Sequence, residues 1–412
     1  MSHPLSADSQ ALIASGQRCY VPNYKPREVI LDHGQGSRIW DLDGNEYIDL
    51  GCGISVNSLG HQHPALVAAL DAQSRKLWHT SNIYFTAPAV HLAEDLVNHT
   101  FAQRVYFCNS GAEANEAAIK LARKYASTMN FPSTKREILT FSGSFHGRTL
   151  AAVTATAQPK YHEGFEPLPG GFRYSPFNQP DLLATHITAD TCAVLVEPIQ
   201  GEGGVMAADP GFLRELRQRC DEHDALLILD EVQCGMGRTG RLFAYEWEPN
   251  VIPDVVTMAK ALGGGLPIGA MLVGDKAANT LQFGSHGSTF GGNPLMCAVA
   301  HAAFREINQP SLLNNVTRKG ETLQTRLRRL GAETHIISKV RGRGLMVGAV
   351  LSSPWLGKAG ELTEHCRQNG VLILQAGPDV LRFLPPLNIP DDDLEIGLNR
   401  VEKALGLLAT TE

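Results

Sequence analysis

Lys260 sits in the stretch "DVVTMAKALGGGLPIGA", where an apolar strand through Val255, Val256 and Met258 ends just before it and three glycines, Gly263 to Gly265, follow. A buried ammonium without a partner is costly, so a lysine there either reaches for water or is chemically employed. Apolar surroundings favour the neutral amine, which can attack a carbonyl or move a proton. Thirty residues earlier, "ALLILDEVQCGMGRTG" ends another apolar strand at Asp230, ahead of Glu231, Val232 and Gln233. Ligands of open parallel sheets bind outside the carboxyl ends of the strands, so a carboxylate there is placed to meet a cation or a protonated ring nitrogen. A structural role for Asp230, capping a turn or pairing with Arg238, reads from the same residues. Glu197 in "VLVEPIQGEGG" holds a similar strand end and reads as structural.

Three further stretches have chemical potential. In "FCNSGAEANEAAIKLARKYA", Ser110 and Glu113 match a capping box, and Ala114, Ala117, Ala118, Leu121, Ala122 and Tyr125 form an apolar helical stripe. Gly111 and Ala112 permit close approach, so the free amides at that helix start can hold an anion; an ordinary capped helix reads the same way. "FSGSFHGRT" brings Phe145, His146 and Arg148 into one loop, an aromatic face beside a guanidinium that can grip a carboxylate. "GSHGSTFGGNPL" offers the hydroxyls of Ser288 and Thr289 among glycines. The chain has no P-loop, no GxGxxG after its first strand, no GxSxG elbow and no HExxH. His61 and His63 lack a nearby third ligand and read as structural.

These residues need a scaffold, and the pattern supplies one. Apolar strands "RVYFC", "REILTF", "CAVLVEP", "ALLILDE" and "VVTMAK" alternate with amphipathic helices, the signature of a mainly parallel sheet covered on both faces. Before them, "SRIWDLDGNEYIDL" reads as a hairpin turning at Asp43-Gly44; after about Asn308 a smaller α/β unit follows. The expected division is an N-terminal segment 1–55, a large domain 56–307 and a C-terminal small domain 308–412. With 412 residues, 19% charged, a net charge of -6 and pI near 6.2, the chain is enzyme-sized and lacks the basic excess of nucleic-acid or membrane-surface binders. Eight scattered cysteines without a CxxC pair, and no run near the ~18 apolar residues that span a bilayer, make a cytoplasmic protein the expectation.

Taken in order, "NSGAEANEAAIKLAR", "FHGRT", "EPIQGEGGV", "LDEVQCGMGRTG", "AKALGGGLPIGAM", "HGSTFGGNPL" and "LRFLPPL" resemble the class III aminotransferases, over nearly the whole chain from about Tyr20. The resemblance implies the aspartate-aminotransferase-like fold, PLP fold type I: a large domain with a mainly parallel central sheet and a smaller α/β domain built from both chain ends. It also implies pyridoxal 5′-phosphate and a homodimer with a shared active site. Lys260 would form the Schiff base with the cofactor and then shuttle the substrate proton; Asp230 would keep the pyridine nitrogen protonated. Gln233 would bond the ring hydroxyl, Val232 and Phe145 would sandwich the ring, and Ser110, Gly111 and Ala112 would hold the phosphate, with Glu231 beside them. Thr289 would reach the phosphate of the neighbouring subunit.

For the substrate, the resemblance implies that Arg148 binds the carboxylate remote from the reacting carbon and that Arg382 in "LRFLPPL" binds the α-carboxylate of glutamate. Glu202 would cover Arg382 when the reacting carbon bears no carboxylate. Tyr24 and Ser288 join the substrate-binding set. Ile54 stands where ornithine aminotransferases have a tyrosine, so an acylated amine is implied: transfer of the δ-amino group of N2-acetylornithine to 2-oxoglutarate. Ala112, where many acetylornithine enzymes have threonine, leaves the succinyl analogue open. Other readings are succinyldiaminopimelate, ornithine or 4-aminobutyrate transamination, an aminomutase, or a non-catalytic regulator that binds the cofactor.

Overall fold

A seven-stranded sheet forms the centre of the computed structural model, which describes residues 5–409. Its order is Arg104–Cys108, Gly269–Val273, Val255–Met258, Leu226–Asp230, Thr191–Val196, Glu137–Phe141 and Phe172–Ser175. The pairs from Val255–Met258 to Phe172–Ser175 are all parallel, whereas Gly269–Val273 runs antiparallel to both its neighbours. That strand was not among those expected. Only ten residues separate it from Val255–Met258, too few for the crossover that a parallel strand requires, so the chain can return only in the opposite sense.

"TCAVLV", "LLILD", "VVTM" and "GAMLV" are buried at every residue because helices cover both faces. Each isoleucine, leucine or valine side chain so buried stabilises the fold by about 1.5–3 kcal/mol relative to exposure. The helix Gly111–Thr128 contributes its expected stripe, with Ala114, Ala117, Ala118, Leu121, Ala122 and Tyr125 all buried. Its alanines let the helix lie close to the sheet.

The chain ends build a second region. Leu31–Gln35, Arg38–Asp41 and Glu46–Asp49 form an antiparallel meander whose expected turn contains Gly44 at φ 82°. Its fourth strand comes from the far end of the chain: Val371–Leu372 pairs in parallel with Ile48 and Asp49. A separate antiparallel sheet orders Ile337–Arg343, Met346–Leu351, Val380–Phe383 and Leu374–Gln375, with the helices Pro310–Thr334 and Ala359–Gln368 packed on it; the helix Asp391–Ala409 packs on those two helices and on the meander strands Glu46–Asp49 and Val371–Leu372. No helix among the described residues is long and apolar enough to cross a membrane.

Candidate active site

Because the parallel strands all point one way, their carboxyl ends share one edge of the sheet, and the candidate residues follow those ends. Asp230 terminates its strand, Glu197 follows Val196 directly, and Lys260 lies two residues beyond Met258. With Ser110, Gly111, Ala112, Phe145, Arg148, Val232 and Gln233 they line a pocket of about 440 Å³. A larger groove of about 1670 Å³ lies between the N-terminal helix Ala7–Cys19 and the meander; its buried carboxylate, Asp41, is occupied by Asn45 and Tyr47. The smaller pocket brings Lys260 together with two buried carboxylates, Asp230 and Glu197.

Asp230 is buried and fully engaged. Its Oδ2 accepts from Asn115 Nδ2 at 2.7 Å and meets His146 Nδ1 at 2.8 Å, while Oδ1 accepts from the Val232 amide at 3.0 Å. Asn115 cannot turn, since its Oδ1 takes a 2.7 Å bond from Thr257 and its amide also reaches the carbonyl of His146. With a carboxylate as acceptor, His146 carries its proton on Nδ1; its Nε2 is buried without a partner. Arg238 takes no part, donating instead to the carbonyls of Leu345 and Pro385.

Lys260 has φ 43°, the left-handed region that non-glycine residues seldom enter, after Ala259 at φ -163° and ψ -138°. Such backbone persists only where the surroundings enforce it. Four residues on, Gly264 packs against Leu66 so closely that a Cβ on it would lie 2.3 Å from Leu66 Cδ2. Desolvation lowers the pKa of the Lys260 amine to about 8, with Arg382 adding repulsion and Glu202, Asp230 and Glu197 opposing it. Glu197 moves the other way: burial, then the charge of Asp230, pushes its carboxyl well up, although it accepts from the amides of Phe145 at 2.9 Å and Gly201 at 3.2 Å.

Arg382, on the strand Val380–Phe383, meets the pocket through Gln233: its Nη1 donates to Gln233 Oε1 at 3.1 Å and to Glu202 at 2.5 Å. Its Nε is buried and unpartnered. Burial alone would raise the Glu202 carboxyl; Arg382, aided by Lys260 and Gln233, reverses this and holds it below the usual glutamate range. Arg148 is exposed and lies over the Tyr161 ring at 4.2 Å and the Phe145 ring at 5.5 Å. The aromatic faces prop the guanidinium toward the pocket that Arg148 lines.

The helix start is capped as the sequence predicts, with Ser110 Oγ accepting from the Glu113 amide at 3.2 Å; Glu113 reaches one residue further back, to the Asn109 amide at 2.6 Å. A Cβ on Gly111 would meet Val232 Cγ1 at 2.7 Å, so a bare backbone is required where that helix faces the Asp230 loop. Seven expected site residues fall outside the pocket lining: Arg382 and Glu202, which meet it through Gln233, and Glu231, Tyr24, Ile54, Thr289 and Ser288. Glu231 turns inward, its carboxylate accepting from the amides of Ala244 and Tyr245, and burial raises its pKa to about 7. Tyr24 is exposed along the larger groove, Ile54 is 42% exposed on the turn before Val56, and Thr289 is exposed on its loop. Ser288 accepts from Asn109 Nδ2 at 3.0 Å, bracing the turn ahead of the helix start. Asn115, Thr257 and Tyr161 were not singled out: an asparagine inside an alanine-rich helix face carries no local signal of its partner 115 residues away.

The model of the family described as "Aminotransferase class-III" matches residues 19–405. The chain belongs to the class III aminotransferases. It is 58% identical over 402 residues to a protein of Xanthomonas campestris pv. campestris named acetylornithine aminotransferase, covering 97% of this chain and 98% of that one. It is 50% identical to a Pseudomonas aeruginosa protein named succinylornithine transaminase/acetylornithine aminotransferase, covering 96% and 97%. The crystal structure of N-acetylornithine aminotransferase from Stenotrophomonas maltophilia K279a superposes with a TM-score of 0.85 at 49% identity, covering 97% and 100%.

This aminotransferase works with pyridoxal 5′-phosphate, and its pocket fits that group: a capped helix start for a phosphate, a braced buried carboxylate for a protonated ring nitrogen, and an amine of lowered pKa for an aldehyde. Only the neutral amine attacks a carbonyl. Recombination of the apoprotein with pyridoxal phosphate is therefore expected to accelerate as pH rises and to level off above about pH 8–9. Stopped-flow absorbance checks this; a midpoint near that of a free lysine would contradict it.

Proposed function

We propose that this enzyme transfers the δ-amino group of N2-acetyl-L-ornithine to 2-oxoglutarate, giving N-acetylglutamate 5-semialdehyde and glutamate, in arginine biosynthesis. The observation that carries the reading is the Arg382–Glu202 pair. Glutamate has a carboxylate on its reacting carbon, which displaces Glu202 and takes Arg382. The δ-carbon of acetylornithine has none, and Glu202 then stays on the guanidinium, so no buried charge is left alone in either half-reaction. Arg148 grips the carboxylate at the far end of both substrates, and Ile54 offers the acyl group an apolar neighbour.

Bound pyridoxal phosphate supplies an electron sink that acidifies the C–H bond of the attached substrate. The Nζ of Lys260, neutral above about pH 8, takes that proton and returns it to the cofactor's side. Asp230, fixed by Asn115 and His146, keeps its charge aimed at the ring nitrogen, while Ser110, Gly111 and Ala112 receive the phosphate.

We also propose a cytoplasmic homodimer in which Thr289 completes the partner's site. Trp78, Ile83, Tyr84, Phe85 and Phe290 are all at least 60% exposed and gather beside that loop, with His79 against Phe290 and Asn82 donating to the Ser288 carbonyl. An apolar face of this kind favours association. Eight free thiols, seven of them buried, suit a reducing compartment. In this reading 56–307 form the large domain and 1–55 join 308–412 in the small one.

Rates with acetylornithine, succinylornithine, succinyldiaminopimelate, ornithine and 4-aminobutyrate, each against 2-oxoglutarate, test the assignment. Acetylornithine is expected to exceed ornithine in kcat/KM by about 10–100-fold, the discrimination that a pocket matched to an apolar group achieves. Ile54→Tyr is expected to narrow the gap. Equal or better use of ornithine would refute the role of Ile54, and faster turnover of succinylornithine, which the doubly named relative and Ala112 favour, would reassign the acyl group.

A further inference from the structure

Among the described residues, Arg238 is the largest side chain fully withdrawn from solvent. It has no carboxylate among its hydrogen-bond acceptors: Nη1 donates to the carbonyls of Pro385 at 2.5 Å and Leu345 at 3.2 Å, Nη2 to Ser58 Oγ at 2.8 Å, and Nε is unpartnered. A guanidinium buried on neutral acceptors is held against a substantial desolvation penalty, and burial brings its pKa down to about 10. Its three acceptors come from three distant parts of the chain, and each lies next to residues that shape the substrate side of the pocket.

Ser58 is the first. Having accepted from Arg238, its hydroxyl donates to the carbonyl of Ser55 at 3.0 Å, closing the segment Cys52–Ser55. All four residues there have positive φ: Cys52 51°, Gly53 57°, Ile54 61° and Ser55 67°. Left-handed backbone is normally visited by single residues at roughly 1–2 kcal/mol each, and a β-branched residue such as Ile54 resists it most. A run of four marks a turn that its surroundings must hold. Pro385 is the second, three residues beyond Arg382; the chain on either side of it is tied to the same region by bonds from the Leu384 amide to the Leu50 carbonyl and from the Leu387 amide to the Ser58 carbonyl, both 2.7 Å. Leu345 is the third; it precedes the strand Met346–Leu351, in which Gly348 lies opposite Arg382. Arg238 itself is five residues past Gln233, which touches Arg382.

We propose that Arg238 is a positioning residue for substrate selection, one guanidinium that locks the left-handed Ile54 turn and the Arg382 strand onto the Gln233 loop. This rests on the roles given above to Ile54 and Arg382. Losing the clamp lets the turn relax toward ordinary backbone and moves both the acyl-facing and carboxylate-binding walls, while Lys260 and Asp230, held by the central sheet, stay in place.

The test uses the holoenzyme with Arg238→Lys and, separately, Ser58→Ala, reading the melting temperature, the absorption of the bound cofactor, and kcat and KM for glutamate, acetylornithine and ornithine. KM for glutamate and for acetylornithine is expected to rise about tenfold, and the preference for acetylornithine over ornithine to shrink, with kcat and cofactor absorption within about twofold of wild type, since small displacements of binding groups act strongly. Unchanged KM values, or a joint fall of kcat, cofactor content and melting temperature without a KM shift, would overturn the proposal. If Arg238→Lys does not fold, Ser58→Ala decides. Wild-type enzyme inactive on acetylornithine would overturn the functional reading instead, and the glutamate KM, which draws on Arg382 and not on the acyl-facing Ile54, would still decide the role of Arg238.

Discussion

Lys260→Ala is expected to lower kcat by about 10⁴-fold or more, because one side chain supplies both the covalent anchor and the proton carrier. The loss follows from the site's construction. Of the titratable side chains that line the pocket, Lys260 is the amine; Asp230, Glu197, His146 and Arg148 have other chemistry. Water could deliver a proton in its place, but without the orientation that the Lys260 backbone, held at φ 43°, imposes. Borohydride reduction followed by intact mass gives an independent check: wild-type protein gains the mass of the reduced cofactor and Lys260→Ala does not. Covalent retention in the variant, or activity within about tenfold of wild type, would remove Lys260 from the mechanism.

Asp230→Asn is the second large effect, expected at about 10²–10³-fold in kcat, the scale seen when one preorganised electrostatic partner is lost from a buried site. The substitution keeps size and shape but removes the charge that holds a ring nitrogen protonated. It also sets an amide against Asn115 Nδ2 and His146 Nδ1, both donors that now face Asp230 Oδ2. His146→Phe is expected to cost far less, about tenfold, since Asn115 and the Val232 amide still fix the carboxylate. Paired measurements of kcat and of the bound cofactor's absorption against pH check both, as the ring nitrogen's protonation alters the spectrum. An Asp230→Asn enzyme with a wild-type spectrum and near-wild-type kcat would rule out the assigned role.

Much of this was readable before any fold was known, for identifiable reasons. Continuous apolar runs such as "LLILD" and "VVTM" can be buried only in a sheet covered on both faces, and that placed Asp230 and Lys260 at neighbouring strand ends. The S-x-x-E signal is local and located the helix start to the residue. Contacts made across the chain left no such trace. The bond from Asn115 to Asp230 spans 115 positions, and nothing near Asn115 indicates it. The resemblance puts Glu231 with the cofactor-binding residues, yet neighbours in an extended chain point to opposite faces, and its carboxylate caps the amides of Ala244 and Tyr245. The antiparallel course of Gly269–Val273 depended on the length of a connection that composition does not reveal.

The pairing of Val371–Leu372 with Glu46–Asp49 has a consequence for synthesis. The N-terminal meander leaves the ribosome early with its Glu46–Asp49 edge bare, and the strand that covers that edge is translated more than 300 residues later, on the order of tens of seconds at about 5–20 residues per second. Throughout that interval the nascent chain carries an unsatisfied row of backbone donors and acceptors, a template for pairing with another chain. Truncation ahead of residue 371 would make that exposure permanent.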